Sequence, residues 1–137
     1  MKKRDRVFCD NLKDYKILKE ETELFKRENT NSSIFIIAMA LGFKEGKIHK
    51  TPLKKGKEGV VRLTYFKEEH LSMIKAVAIM DSGLDVLFDE DKVYSIAEEY
   101  ANGGIKMLKR ELIANKEPGS YIKKLCTELL DISRKIA

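Results

Sequence analysis

Residues 29–43, NTNSSIFIIAMALGF, are the stretch on which the fold turns. The β-branched run Ile34-Phe35-Ile36-Ile37 would suit a buried strand, whereas Ala38-Met39-Ala40-Leu41 favours a helix. Asn29-Thr30-Asn31-Ser32 breaks the preceding pattern and supplies an N-cap, and Gly42 supplies a stop. We read Ser33 to Leu41 as a buried helix. The apolar run from Ile34 to Leu41 is far short of the roughly 20 residues that cross a bilayer, so no membrane segment is expected.

Upstream, Asp10 is expected to cap a helix reaching about Glu28, with Leu12, Tyr15, Leu18 and Phe25 as its apolar stripe. Residues 1–9 read as a basic tail with no apolar segment behind it, unlike a secretory signal. Downstream, residues 44–59 form a basic loop, because no apolar period survives there. Val60 to Tyr65 is the one convincing β stretch; a lone short strand needs a partner, either the basic loop or another subunit. Phe66 to Met80 reads as a helix with Leu71, Ile74, Val77 and Ala78 facing inward.

Asp81-Ser82-Gly83 closes that helix, and Leu84 to Phe88 forms an apolar bridge. Asp89 then caps a helix whose buried face is Val93, Ile96, Ala97 and Tyr100. Asn102-Gly103-Gly104 either separates two helices or lets one helix pack closely; we assign it to packing. Ile105 and Leu108 resume the pattern, and Pro118 opens a last helix with Tyr121, Ile122, Leu125, Leu129 and Ile132. The expected fold is mainly α: a compact bundle of five or six helices with one minor β strand or hairpin. At 137 residues, a single domain spanning 1–137 is expected.

Hydrophobic residues make up 43% and charged residues 36%, which suits a packed core inside a charged shell. The net charge of +5 is uneven: residues 1–60 carry 15 Lys+Arg against 9 Asp+Glu, and residues 61–137 carry 12 against 13. A basic half beside a neutral one attracts polyanions. Cys9 and Cys126 have neither metal spacing nor a disulfide framework, and a cytoplasmic location is expected.

Catalytic constellations are thin. Gly42 to Lys47 lacks the spacing of a phosphate-binding loop. His49 and His70 have no His or Cys at ligand spacing, so no metal or cofactor is expected. Cys9 stands near Arg4 and Arg6, which would lower its pKa, but no base partner is apparent. Cys126 falls on the inward stripe of the last helix. Asp81, Asp85, Asp89, Glu90 and Asp91 cluster as metal-binding acids would, though helix capping and a solvated turn explain them more simply. Glu98 and Glu99 diverge by about 100° on a helix and cannot share one substrate atom. No enzymatic activity is expected.

The basic loop is the strongest functional feature. Lys44, Lys47, Lys50, Lys54, Lys55 and Lys57 recur every two to four residues, with Lys2, Lys3, Arg4 and Arg6 in the tail. Lysine dominates, which points to phosphate contact rather than base reading.

Leu18 to Phe43 resembles the opening of DndE-type proteins of the bacterial DNA phosphorothioation (Dnd) system, and Tyr94 to Leu108 resembles that family's late helix. The likeness is closer to small Dnd-system-associated proteins, through Ala38-Met39-Ala40-Leu41-Gly42-Phe43-Lys44-Glu45-Gly46 and Ala97-Glu98-Glu99-Tyr100-Ala101-Asn102-Gly103-Gly104-Ile105. The resemblance implies a helical, oligomeric protein that contacts DNA through lysines and has no established catalytic centre. The longer basic loop and the Val60–Tyr65 stretch depart from the DndE pattern. The expected function is that of a non-catalytic accessory protein binding duplex DNA by its phosphates, with other proteins of a modification or restriction system as further partners. The alternative is a protein–protein adaptor docking on a larger ATPase or nuclease. Self-association is expected through the lone strand and the Leu84–Phe88 bridge.

Overall fold

The computed structural model describes residues 4–21, 31–46, 50–54 and 58–114, with residue 127 in a helix. In chain order it contains strand β1 (Arg6–Cys9), helix α1 (Leu12–Glu21), helix α2 (Asn31–Lys44), strand β2 (Glu58–Arg62), helix α3 (Glu68–Ser82) and helix α4 (Glu90–Ala114). Short 3-10 turns occupy Leu63–Tyr65 and Leu84–Phe88. The architecture is mainly helical with a small antiparallel sheet. Among the described residues there are four α-helices, not five or six. The expected extension of α1 through Phe25 to Glu28 lies outside the described residues, as does the expected last helix, Tyr121 to Ile132, apart from Thr127, which is helical.

Helix α2 explains its own ambiguous pattern. Every residue from Ile34 to Gly42 is buried, so no polar face punctuates the run. It packs along α4 and also touches α1, α3 and β2. The α2–α4 approach is close because each helix offers a glycine. A Cβ on Gly104 would collide with the Ala38 carbonyl and the Gly42 amide, and one on Gly42 would collide with the Tyr100 carbonyl. Asn102-Gly103-Gly104 therefore lies inside one continuous α4, and it is Gly104 that brings the two backbones together. Phe43 adds an edge-on contact with the Tyr100 ring, centroids 5.5 Å apart.

The N-terminal segment corrects the expectation of a basic tail, because Arg6–Cys9 forms β1. It pairs with β2, so the partner of the expected lone strand is neither the basic loop nor a second subunit. The pairing runs Arg6 with Arg62 and Val7 with Val61, then slips to Phe8 with Gly59. The slip leaves Val60 as an extra residue, a β-bulge. Both Val60 and Val61 consequently face the core, and Arg62 returns to the outer face. Val61 ends the core stretch of β2, and Leu63–Tyr65 turns as a 3-10 helix instead of extending the strand.

Asn11, rather than Asp10, caps α1: its Oδ1 accepts the Lys13 N–H at 3.1 Å. Asp10 instead ties the basic loop down. Its Oδ1 accepts the Lys54 N–H at 2.6 Å and its Oδ2 accepts Asn102 Nδ2 at 2.9 Å. The Thr51 N–H donates to the Glu99 carbonyl at 3.0 Å, and Asn102 Nδ2 reaches the Thr51 carbonyl at 3.2 Å. Residues 50–54 are thus strapped to α4.

Candidate nucleic-acid interface

The cations singled out by the sequence separate into two environments. Arg4, just ahead of β1, lies against one face of α4. Its guanidinium donates to Glu98 Oε2 at 2.7 Å, Asp91 Oδ1 at 2.8 Å and Ser95 Oγ at 3.1 Å. Burial disfavours its charge, but the two carboxylates outweigh that and raise its pKa. Glu98 Oε2 also accepts the N–H of Phe8, at the bulge, at 2.7 Å. Arg4 is a structural clamp between β1 and α4, with little guanidinium left for a ligand.

Lys50 has a similar fate. Its Nζ lies 3.1 Å from Asp81 Oδ2 and 3.8 Å from Glu99 Oε1, above the Tyr100 ring. Asp81 is also met by the Tyr100 hydroxyl at 2.7 Å and the Ser82 hydroxyl at 2.6 Å. Burial would raise the Asp81 pKa; the hydrogen bonds from Ser82, Tyr100 and Lys50 prevail and hold it below the usual value. Asp81 and Lys50 together form an internal lock. Glu98 and Glu99 do diverge, one toward Arg4 and the other toward Lys50.

Arg6 and Arg62 stand in the second environment. They are directly opposed across the sheet, on its outer face. Arg6 runs over Gly59, where a Cβ would approach its Cδ to 3.0 Å. Its guanidinium pairs with the exposed Asp5, Nε to Oδ1 at 3.1 Å, and its side chain is 38% exposed. The Arg6 hydrogen bond, with Arg62 contributing more weakly, holds the Asp5 carboxyl below its usual range. Around these residues lies an open cavity of about 170 Å³, lined also by Asn31, Gly59 and Tyr65. Tyr65 is 56% exposed, and Asn31 Nδ2 donates to the Val60 carbonyl at 3.1 Å.

Lys44 is exposed at the far end of α2 from Asn31, about 20 Å away at 1.5 Å rise per residue. Lys54 is exposed on the strapped part of the loop. Lys2, Lys3, Lys47, Lys55, Lys57, His49 and Cys126 lie outside the described residues. Arg62 and Tyr65 were not recognised from the sequence. The signal was alternation: Arg4, Arg6 and Phe8 alternate with apolar Val7 and Cys9, which marks a strand able to pair with Val60–Arg62.

Cys9 corrects a further expectation. It points inward from β1, and burial, aided by nearby Glu58, pushes its thiol up to about 12. The strand places it on the face opposite Arg6. His70 acts at the start of α3, where its Nδ1 accepts the Lys67 N–H at 3.1 Å. Among the described residues, no group of three His, Cys, Asp or Glu side chains is placed to hold a metal ion. No helix among them is long and apolar enough to cross a membrane.

A helical body built on a glycine-mediated α2–α4 contact, with a small basic sheet on its flank, defines the structural class. The chain matches the family described as DNA sulphur modification system-associated protein 4 over residues 9–135, and it belongs to that family. The two sequence blocks closer to Dnd-system-associated proteins, 38–46 and 97–105, carry the glycines, Gly42 and Gly104, at which α2 and α4 meet. No curated protein and no solved structure matches the chain.

Proposed function

We propose that this member of a DNA sulphur modification-associated family is a non-catalytic accessory protein that holds duplex DNA by its phosphates. The observation that carries the reading is the Arg6–Arg62 pair, opposed on an exposed sheet face with Asp5 as the neighbouring acid. Like charges directly opposite across a sheet are unfavourable by themselves, and an anion between them removes the repulsion. Guanidinium groups also suit phosphate oxygens, which they bind as a planar fork. Tyr65 adds a hydroxyl donor at the edge of the same cavity.

Lys44 and Lys54, with Lys2, Lys3, Lys47, Lys55 and Lys57, extend the phosphate contact in this reading. Arg4 and Lys50 are withdrawn from it, since their charges are matched inside the fold. Contacts of this kind position a protein on DNA without reading bases. Fluorescence anisotropy with two unrelated duplexes of about 30 base pairs tests the reading, with salt varied. Similar affinities that fall steeply with salt are expected; no salt-sensitive binding at low ionic strength rejects it.

A protein-docking role draws on a different observation, the exposed apolar residues Leu84 and Phe88. They lie on the turn between α3 and α4, an element separate from the sheet that carries Arg6 and Arg62.

A further inference from the structure

The corner between α3 and α4 displays more apolar surface than its fold requires. Phe88 is 92% exposed, Leu84 67%, Met80 55% and Leu87 43%. Val86 alone anchors the connecting 3-10 turn in the core. Gly83, at φ +91°, permits the sharp exit from α3 that presents this turn. A contiguous group of large exposed apolar side chains marks an interaction surface.

Beside the ridge lies its complement. A groove of about 290 Å³ runs between α3 and α4, floored by Leu71, Ile74, Leu87, Val93 and Tyr94. Lys75 stands on its α3 side and Glu90 on its α4 side. These two are not joined to each other or to any other group by an ion pair among the described residues. Knob and hole are adjacent, since Phe88 follows Leu87, which lines the groove. That adjacency suits a two-fold axis near Leu87, where each knob enters the other copy's hole. An isologous contact also requires that residue i meet residue j and j meet i. Opposite charges on the two sides of one groove satisfy this, with Lys75 of each copy facing Glu90 of the other.

We propose that this corner is a two-fold self-association face, in which Phe88 of one copy seats in the α3–α4 groove of a second copy. Lys75 and Glu90 exchange ion pairs across the axis. The contact is independent of the DNA reading. An aromatic anchor in an apolar pocket is the usual centre of such an interface.

The test is molar mass by light scattering and sedimentation velocity, from about 1 to about 100 μM protein. The wild type is expected to approach twice its monomer mass with rising concentration, and Phe88→Ser to remain a monomer throughout. Lys75→Glu and Glu90→Lys are each expected to weaken the dimer at least about tenfold, and the double variant to restore it to within about threefold. Restoration distinguishes paired charges from misfolding, because a misfolded variant is not rescued by a second reversal. A wild type that stays monomeric at about 100 μM overturns the proposal, as does a dimer indifferent to Phe88→Ser. A double charge reversal that fails to recover association also overturns it.

Discussion

Arg4 and Arg6 are two residues apart, yet one guanidinium is enclosed by Asp91, Ser95 and Glu98 while the other lies on the open face of the sheet. The same contrast separates Lys50, locked to Asp81 and roofed by Tyr100, from Arg62, exposed opposite Arg6. Residue type does not decide which cation serves the fold and which is left for a ligand. That is decided by whether a distant acid is brought alongside. Glu98 lies 94 positions from Arg4 and Asp81 lies 31 from Lys50, so both neutralisations are products of tertiary structure. The inner cations hold β1 and the basic loop onto α4 and α3. The outer pair has Asp5 beside it, joined to Arg6 by an ion pair.

The contrast breaks most visibly on the inner side. Glu98→Ala removes the buried acceptor shared by the Arg4 guanidinium and the Phe8 amide, leaving that N–H unpaired and Arg4 with only the exposed Asp91 as a charge partner. A loss of about 3–5 kcal/mol is expected in urea unfolding, and a loss under about 1 kcal/mol would mean the clamp is not what joins β1 to α4. Gly104→Ala drives a Cβ into the α2 backbone at Ala38 and Gly42. Overpacking against backbone that cannot yield is expected to destabilise by about 2 kcal/mol, read as a lowered Tm.

Two inner groups also make the contrast sensitive to pH. The Asp81 carboxyl is held below its unfolded value of 3.8. Its contribution is therefore present above that pH and is lost as pH falls through the lower folded value. Asp81→Asn should flatten the acid limb of the stability profile. Cys9 has the opposite sign. Its thiol is neutral in the fold up to about 12, while the unfolded thiol ionises near 9.0. Stability from this group is complete below pH 9 and declines above it. In a Cys126→Ser background, Cys9 should resist a thiol reagent at pH 8 until the protein unfolds. Fast labelling of the native protein would show that the thiol is accessible.

Much of the helical body was legible in the sequence, because local chemistry carries it. The apolar run of α2, the inward stripe of α3 and the acids at the start of α4 are all readable within a turn or two. Gly42, expected as a stop, instead lies inside α2, which runs on to Lys44 because the glycine serves the contact with α4. The packing role of Asn102-Gly103-Gly104 was legible too, although only the partner backbone identifies Gly104 as the point of contact. Strand β1 was not. It offers only Val7 and Cys9 as inward residues, and its partner is some fifty residues away, so its alternation is lost among charges that resemble a tail. The candidate site followed the same division. Arg6 was named for its charge, but Arg62 and Tyr65 join it only once the bulge at Val60 restores Arg62 to the outer face. Arg4 and Lys50 looked equivalent to the other cations because their neutralising acids are distant in sequence.

The smallest expected change in stability belongs to the outer side, and it tests the account most directly. Arg62→Ala removes an exposed side chain and should alter unfolding by less than about 0.5 kcal/mol. Its effect belongs in duplex binding, measured as log K against log salt for wild type and variant on two unrelated sequences. The account predicts weaker binding of equal size on both duplexes, with a slope shallower by about 0.9 if Arg62 neutralises one phosphate. If the wild type binds with a steep salt dependence and Arg62→Ala matches it in affinity and slope, the outer arginine pair is not where this protein meets DNA.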